Sequence, residues 1–334
     1  MTSTTMLEPT GTKTVNTTLN FYLDPSKGGH TSYHIGVADY YRRKFDPHPV
    51  RIQDIRGREH EFDLETHGLQ HHKHISAEKD FDDDERVRRV VYPETAELIK
   101  NITGATKVHV FSHITRKDSR ENAEAAINQD PSLQDGNAPY QKIVPARFIH
   151  IDFSNDGAVE ILKDNFDAEL GEKLAKTRWS VRRSSNTVPC ETYAVSPLVL
   201  KIINVWRPIK PISKDPLGLC DARTARDGDL MPVVSDLMPV VSTLPPKGTG
   251  QYASVSGGDR FELYYKRYHP DEKRYYADKM QPHEIILIKC FDSLKDGRAT
   301  RCPHSAFTNP DTEGDNTRES IEVRSLVFFE DQPA

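Results

Sequence analysis

The feature that most constrains this 334-residue chain is a set of apolar and β-branched runs in its second half. LVLKIINVW (198–206), RFELYYKRY (260–268), EIILIKCF (284–291) and RESIEVRSLVFF (318–329) have strand length and are separated by turn-rich connections. Several strands with few helices predict a mainly β sandwich or barrel with flanking helices. Between Leu19 and about Ser76, short segments such as LNFYLD and HEFDL are broken by Gly and Pro, which predicts hairpins. Two stretches read as helical. Residues 82–101 place acids ahead of a mixed apolar pattern, and Pro93 must begin a second helix there or kink the first. Residues 155–176 carry apolar side chains at three- and four-residue intervals, directly after the β-like run FIHIDFS.

The expected organisation is a flexible Thr-rich end over 1–15 and one elaborated domain over 16–334. That domain divides into an N-terminal extension (16–104) and a barrel core (about 105–329). A direct duplication, DLMPVVS at 229–235 and again at 236–242, is too short for a solenoid unit and reads as a loop insertion. Forty-five Lys plus Arg stand against 50 Asp plus Glu, a net charge of -5 with mixed signs, so no footprint for nucleic acid is present. No run approaches the ~18 apolar residues of a spanning helix. Cys190, Cys220, Cys290 and Cys302 are far apart and lack a C-x-x-C pair. The expectation is a cytoplasmic protein with a small-molecule partner and no membrane or nucleic-acid role.

His150-Ile151-Asp152 is the most informative local pattern, because residues two apart on a strand face the same way and can chelate one ion side by side. The second H-x-D, His269-Pro270-Asp271, contains a proline between strand signals and suits a turn. A structural buried pair competes with the ligand reading of His150 and Asp152. A third ligand is available at His304, in CPHSAF. Two His and one Asp form the facial triad of non-haem Fe(II), leaving adjacent positions for a 2-oxo acid and dioxygen. Arg318 and Ser320, also two apart, can jointly grip the distal carboxylate of 2-oxoglutarate, against the plainer reading of Arg318 as a surface ion pair. Arg324 shares their parity and is the reserve anchor.

With these residues in view, the sequence resembles the Fe(II)/2-oxoglutarate-dependent oxygenases, and within them the AsaB-like hydroxylase/desaturase group that includes CmcJ-like proteins. The resemblance covers about residues 105–329 and rests on RFIHIDFS, IINVWRPIKPISKDPLGLCDARTA, YADKMQPHEIILIKCFDS, CPHSAFTNP and RESIEVRSLVFF. It implies a double-stranded β-helix, a jelly-roll or cupin-like barrel, with iron near the open end. His150, Asp152 and His304 match the metal positions, and Arg318 with Ser320 the co-substrate element. His304 lies 152 residues after Asp152, which on this resemblance requires a large insertion outside the barrel.

Asn204-Val205-Trp206-Arg207-Pro208 looks like a second hallmark. There Asn204 would bond a bound carboxylate and Trp206 would wall the pocket. Arg207 would neutralise an acidic substrate or pair with Asp215 or Asp221. His109 and His113 share a predicted strand face, either bordering the substrate cavity or stacking in the barrel wall. His71, His72 and His74 read as an exposed polar stretch. The implied activity is oxidation of a C–H bond in a small secondary metabolite by hydroxylation, desaturation or oxidative ring formation. The rival is a jelly-roll binding protein or metal-independent isomerase without redox chemistry.

Overall fold

The computed structural model describes residues 13–166, 199–237 and 260–329. In chain order its first strands are β1 (Thr14–Phe21), β2 (Ser32–Ile35), β3 (Asp46–Asp54), β4 (Leu69–Lys73), β5 (Lys107–Arg116) and the short β6 (His150–Ile151). There follow β7 (Val199–Pro208), β8 (Leu217–Cys220), β9 (Leu230–Leu237) and β10 (Arg260–Lys266). The last are β11 (Arg274–Tyr276), β12 (Glu284–Asp292), β13 (His304–Ala306) and β14 (Ser320–Phe329). The helices are α1 (Asp84–Arg86), α2 (Tyr92–Thr103), α3 (Arg120–Gln129) and α4 (Asn155–Asn165).

Two sheets pack face to face as a jelly roll. Among the described residues, one has nine strands in the order β1-β3-β11-β8-β13-β6-β10-β9-β2, and the other five in the order β4-β12-β7-β14-β5. Both sheets contribute to one core. Ile151, Leu217, Leu219 and Tyr275 of the large sheet meet Leu200, Ile202, Trp206, Ile286, Ile288, Leu326 and Phe328 of the small one. The small sheet's other face carries Val199, Ile203, Val205, Ile285, Leu287, Val327 and Phe329, covered by Ile99 with Leu98 and Ile102 of α2. Burial on both faces is why EIILIKCF reads as a continuous apolar run, without the alternation of a half-wet strand. Ile99 is fully buried, and that burial alone stabilises the fold by about 1.5–3 kcal/mol.

The N-terminal helical stretch runs through α1, a π turn at Val87–Val91, and α2. Pro93 sits in the first turn of α2, where its missing N–H leaves no bond unmade. Gly104, at φ +72°, ends α2 in the left-handed conformation and donates its N–H to Lys100 O at 2.8 Å.

Three expectations need correction. Thr14 and Val15, assigned from sequence to the frayed end, begin β1 and pair with Gln53 and Ile52 of β3; residues 1–12 lie outside the described residues. The first DLMPVVS copy is not a loop. Its residues 230–235 belong to β9, paired with β10 and with β2. The second copy falls largely outside the described residues. Among the described residues the interval between Asp152 and His304 contains β7–β12, strands of the barrel itself, and the rest of the expected insertion falls at 167–198 and 238–259, outside the described residues. Finally, His71, His72 and Lys73 form part of β4 on the edge of the small sheet, and the His71 side chain is only 6% exposed.

Candidate metal centre

His150 and His304 are brought together by strand pairing. They are register partners across antiparallel β6 and β13, with ring centroids 4.6 Å apart. Asp152 follows β6 directly, where the chain turns into α4. Ser154 caps that helix, its Oγ accepting the Gly157 N–H at 2.9 Å. Gly157 is required there, because a Cβ would lie 2.0 Å from the Glu262 carbonyl oxygen of β10. The strand-to-helix turn therefore holds Asp152 against the sheet.

One ligand atom from each of His150, Asp152 and His304 lies within 4.8 Å of the others, and all three side chains are buried. His150 Nδ1 bonds Phe148 O at 2.9 Å and His304 Nδ1 bonds Cys302 O at 3.0 Å. A carbonyl only accepts, so each Nδ1 carries the hydrogen and each Nε2 turns a lone pair inward. Those lone pairs face the Asp152 carboxylate, at 3.9 Å for His150 and 3.4 Å for His304. His304 Nε2 makes no hydrogen bond among the described residues. Three acceptors aimed at one buried point require a proton or a cation between them. Burial, joined by repulsion from His304, drives His150 down to about 3. For His304, burial is outweighed by the Asp152 carboxylate, and the pKa rises. The donor set of two imidazoles and one carboxylate fits ferrous iron.

The carboxylate itself is held by the small sheet. Arg324 Nη2 donates to Asp152 Oδ1 at 2.6 Å, and Asn204 Nδ2 to Asp152 Oδ2 at 2.7 Å. Cys290 Sγ lies 3.5 Å from the same Oδ2. Glu322 accepts from both Arg324 Nε (2.7 Å) and Asn204 Nδ2 (3.3 Å), so a second buried acid balances the arginine. Burial opposes the Arg324 charge, but Asp152 and Glu322 outweigh it and raise its pKa. Asn204 and Arg324 thus contact the candidate ligand Asp152, a different placement from the carboxylate-anchoring roles expected of them. The reason is register: Arg324 pairs with Asn204, and Glu322 with Trp206, on the inner face of β14 and β7.

Arg318 is 3% exposed just ahead of β14, stacked 5.5 Å over the Trp206 ring. Its Nη1 donates to Asp215 O at 2.8 Å, whereas its Nε and the Ser320 hydroxyl have no partner among the described residues. Burial lowers the Arg318 pKa to about 9. Trp206 lies in the core wall. Arg207 points the opposite way, donating to His74 O (2.7 Å) and Pro282 O (3.1 Å) and pairing with neither Asp215 nor Asp221. His113 also faces outward, bonded to Tyr92 Oη (3.0 Å) and paired with Asp84 (2.9 Å). A register shift around Phe111 separates it from His109: Leu326, an inner-face core residue, pairs with His109, and Val323, under the helices, pairs with His113. The bulge overturns the shared face that simple alternation predicted.

A cleft of about 60 Å³ is lined by His150, Asp152 and Arg324. Tyr33, Tyr40, Phe148 and Phe261 form aromatic walls, and Arg116 and Lys142 supply polar lining. Sequence reasoning missed these residues, together with Glu322 and Cys290. The parity of Ser320, Glu322 and Arg324 was the available signal for Glu322; Tyr33 and Tyr40 had none, since they come from the N-terminal extension.

A family model described as "Oxidoreductase/YMDC permease-like domain" matches residues 19–183 and 180–328. Hydroxylase/desaturase CTB9 of Cercospora beticola is 35% identical over 321 residues, covering 94% of this chain and 87% of that protein. The α-ketoglutarate-dependent dioxygenase phiK of a fungal species is 31% identical over 314 residues, covering 93% and 95%. This chain belongs to the AsaB-like hydroxylase/desaturase family. Its fold is shared with the iron- and α-ketoglutarate-dependent endoperoxidase NvfI, with a TM-score of 0.66 at 23% identity over 95% of this chain and 98% of that one. No helix among the described residues is long and apolar enough to cross a membrane.

Proposed function

We propose that His150, Asp152 and His304 hold the ferrous ion of an Fe(II)/2-oxoglutarate-dependent oxygenase, and that Arg318 with Ser320 anchors the distal carboxylate of 2-oxoglutarate. The observation that carries this reading is the buried convergence of three acceptors with His304 Nε2 left without a hydrogen-bond partner. When bound, iron and 2-oxoglutarate together with dioxygen supply the oxidising power for attack on a substrate C–H bond. The rest is placement by the chain. The carbonyls of Phe148 and Cys302 fix both imidazole tautomers, and Arg324 and Asn204 fix the Asp152 carboxylate. The unpartnered Arg318 Nε and Ser320 hydroxyl are the buried donors a carboxylate would satisfy. The aromatic cleft excludes water and orients a small secondary metabolite above the metal. Three buried free thiols, Cys220, Cys290 and Cys302, support a cytoplasmic setting.

The test is succinate formation from 2-oxoglutarate by iron-reconstituted protein in air. Succinate that requires both iron and oxygen is expected. Its absence, with an intact fold, would favour a jelly-roll binding protein.

A further inference from the structure

Arg116 ends β5 on the inner face, in register with Ser320 of β14, and lines the cleft beside His150, Asp152 and Arg324. Its guanidinium donates through Nη1 to Val144 O at 2.9 Å and pairs with no carboxylate among the described residues. Of the other cations of the cleft, Lys142 is compensated by Asp118 at 3.2 Å and Arg324 by Glu322 at 2.7 Å. An arginine left without a counter-ion in a half-buried, aromatic-walled cleft is an unfavourable arrangement unless a ligand completes it. With Nη1 occupied, the Nε–Nη2 edge remains as a planar two-donor fork, the shape that matches a carboxylate.

Charge balance at the site points the same way, and it rests on the oxygenase reading above. A ferrous dication, the Asp152 carboxylate, dianionic 2-oxoglutarate and Arg318 sum to zero. Arg324 is balanced by Glu322, which it meets at 2.7 Å. Lys142 is balanced by Asp118. Among the described residues of the cleft, Arg116 is the positive charge left over when metal and co-substrate are in place. We infer that Arg116 binds the substrate, and that the substrate is an apolar, ring-bearing organic acid whose carboxylate meets the Arg116 fork while its skeleton lies against Tyr33, Tyr40, Phe148 and Phe261. The aromatic walls suit a rigid hydrophobic body, and the single unbalanced charge calls for one anionic group.

The experiment is anaerobic calorimetric titration of protein carrying Fe(II) and 2-oxoglutarate, using 1-naphthoate and 9-anthracenecarboxylate as probes and their primary amides as uncharged matches. Wild-type protein is expected to bind at least one acid about tenfold or more tightly than its amide, as the loss of one charge-assisted pair implies. Arg116→Met should remove that preference, and Arg116→Lys should retain most of it, with circular dichroism confirming the fold of each. Equal affinity for acid and amide, or no binding of any probe by wild type, overturns the assignment. So does an Arg116→Met protein that keeps its acid preference, or one whose principal loss is affinity for 2-oxoglutarate, which would place Arg116 in the co-substrate site. The visible band of the iron chelate, recorded before any probe is added, reports separately on the oxygenase reading.

Discussion

Asp152 is the residue on which the two sheets converge. It follows a strand of the large sheet, yet both its oxygens are held by Asn204 and Arg324 of the small one. A ligand oriented in this way depends on its supports for metal affinity. Asn204→Ala is expected to weaken Fe(II) binding by roughly tenfold while leaving every ligand in place, and Arg324→Met to weaken it by as much as about 100-fold. Equilibrium dialysis under anaerobic conditions checks both; unchanged affinity in either variant would mean that Asp152 needs no such support. Arg318→Ala belongs to the same scale and has a different signature. Iron should remain bound while the 2-oxoglutarate requirement rises by about tenfold or more, as expected for loss of a charge-assisted anchor. The candidate ligands were legible in sequence, because strand parity put His150 and Asp152 together and the CPHSAF segment offered His304. The placement of Asn204 and Arg324 was not. Parity says that two side chains share a face, and only the register of β14 on β7 says which carboxylate they meet.

Element boundaries are set by polar groups as much as by apolar pattern. Glu284 opens β12: it accepts from Arg56 Nη2 at 2.9 Å and from Gln281 N at 2.7 Å, and His71 Nε2 lies 3.1 Å away. Burial pushes its pKa up, but the Arg56 bond and the Gln281 N–H outweigh burial and bring it down from 4.5 to about 2. A depressed carboxylate stabilises the fold above its ordinary pKa, and that contribution is lost as pH falls through the folded value. Glu284→Gln is therefore expected to lower stability by about 2 kcal/mol at neutral pH. The gap from wild type should shrink below pH 4.5 and close near pH 2. Urea unfolding across that range measures it; a gap that stays constant down to pH 3 would contradict the assignment. Strands such as β12 and β14 were legible because both faces are covered and the runs IILI (285–288) and LVFF (326–329) carry no polar residue. The outward turn of His113 was hidden, since the bulge near Phe111 has no signature in residue type. Arg207 was read toward Asp215 or Asp221, but it lies under the β4–β12 edge, whose position only the fold supplies.

At the scale of the molecule, His150 and His304 are adjacent only because β6 and β13 pair in the middle of the large sheet. A β-sandwich or barrel was legible from the run of strands, and the jelly roll from the family resemblance. Its strand order was not, because β2 joins β9 and β3 joins β11 in parallel across long stretches of sequence, and such pairings leave no local trace. A ligand set drawn from distant segments couples metal binding to the fold. Mn(II) with 2-oxoglutarate should raise the melting temperature of wild-type protein by several degrees and leave His304→Ala unmoved; an equal rise in the variant would place the metal elsewhere. The central claim is tested most directly by anaerobic titration of the apo-protein with Fe(II) and 2-oxoglutarate, following the visible charge-transfer band of the chelate. The account predicts a band that saturates at one iron per chain in wild type and is absent from His150→Ala, Asp152→Ala and His304→Ala. A band of undiminished intensity in any of the three, or none in wild type, would contradict it.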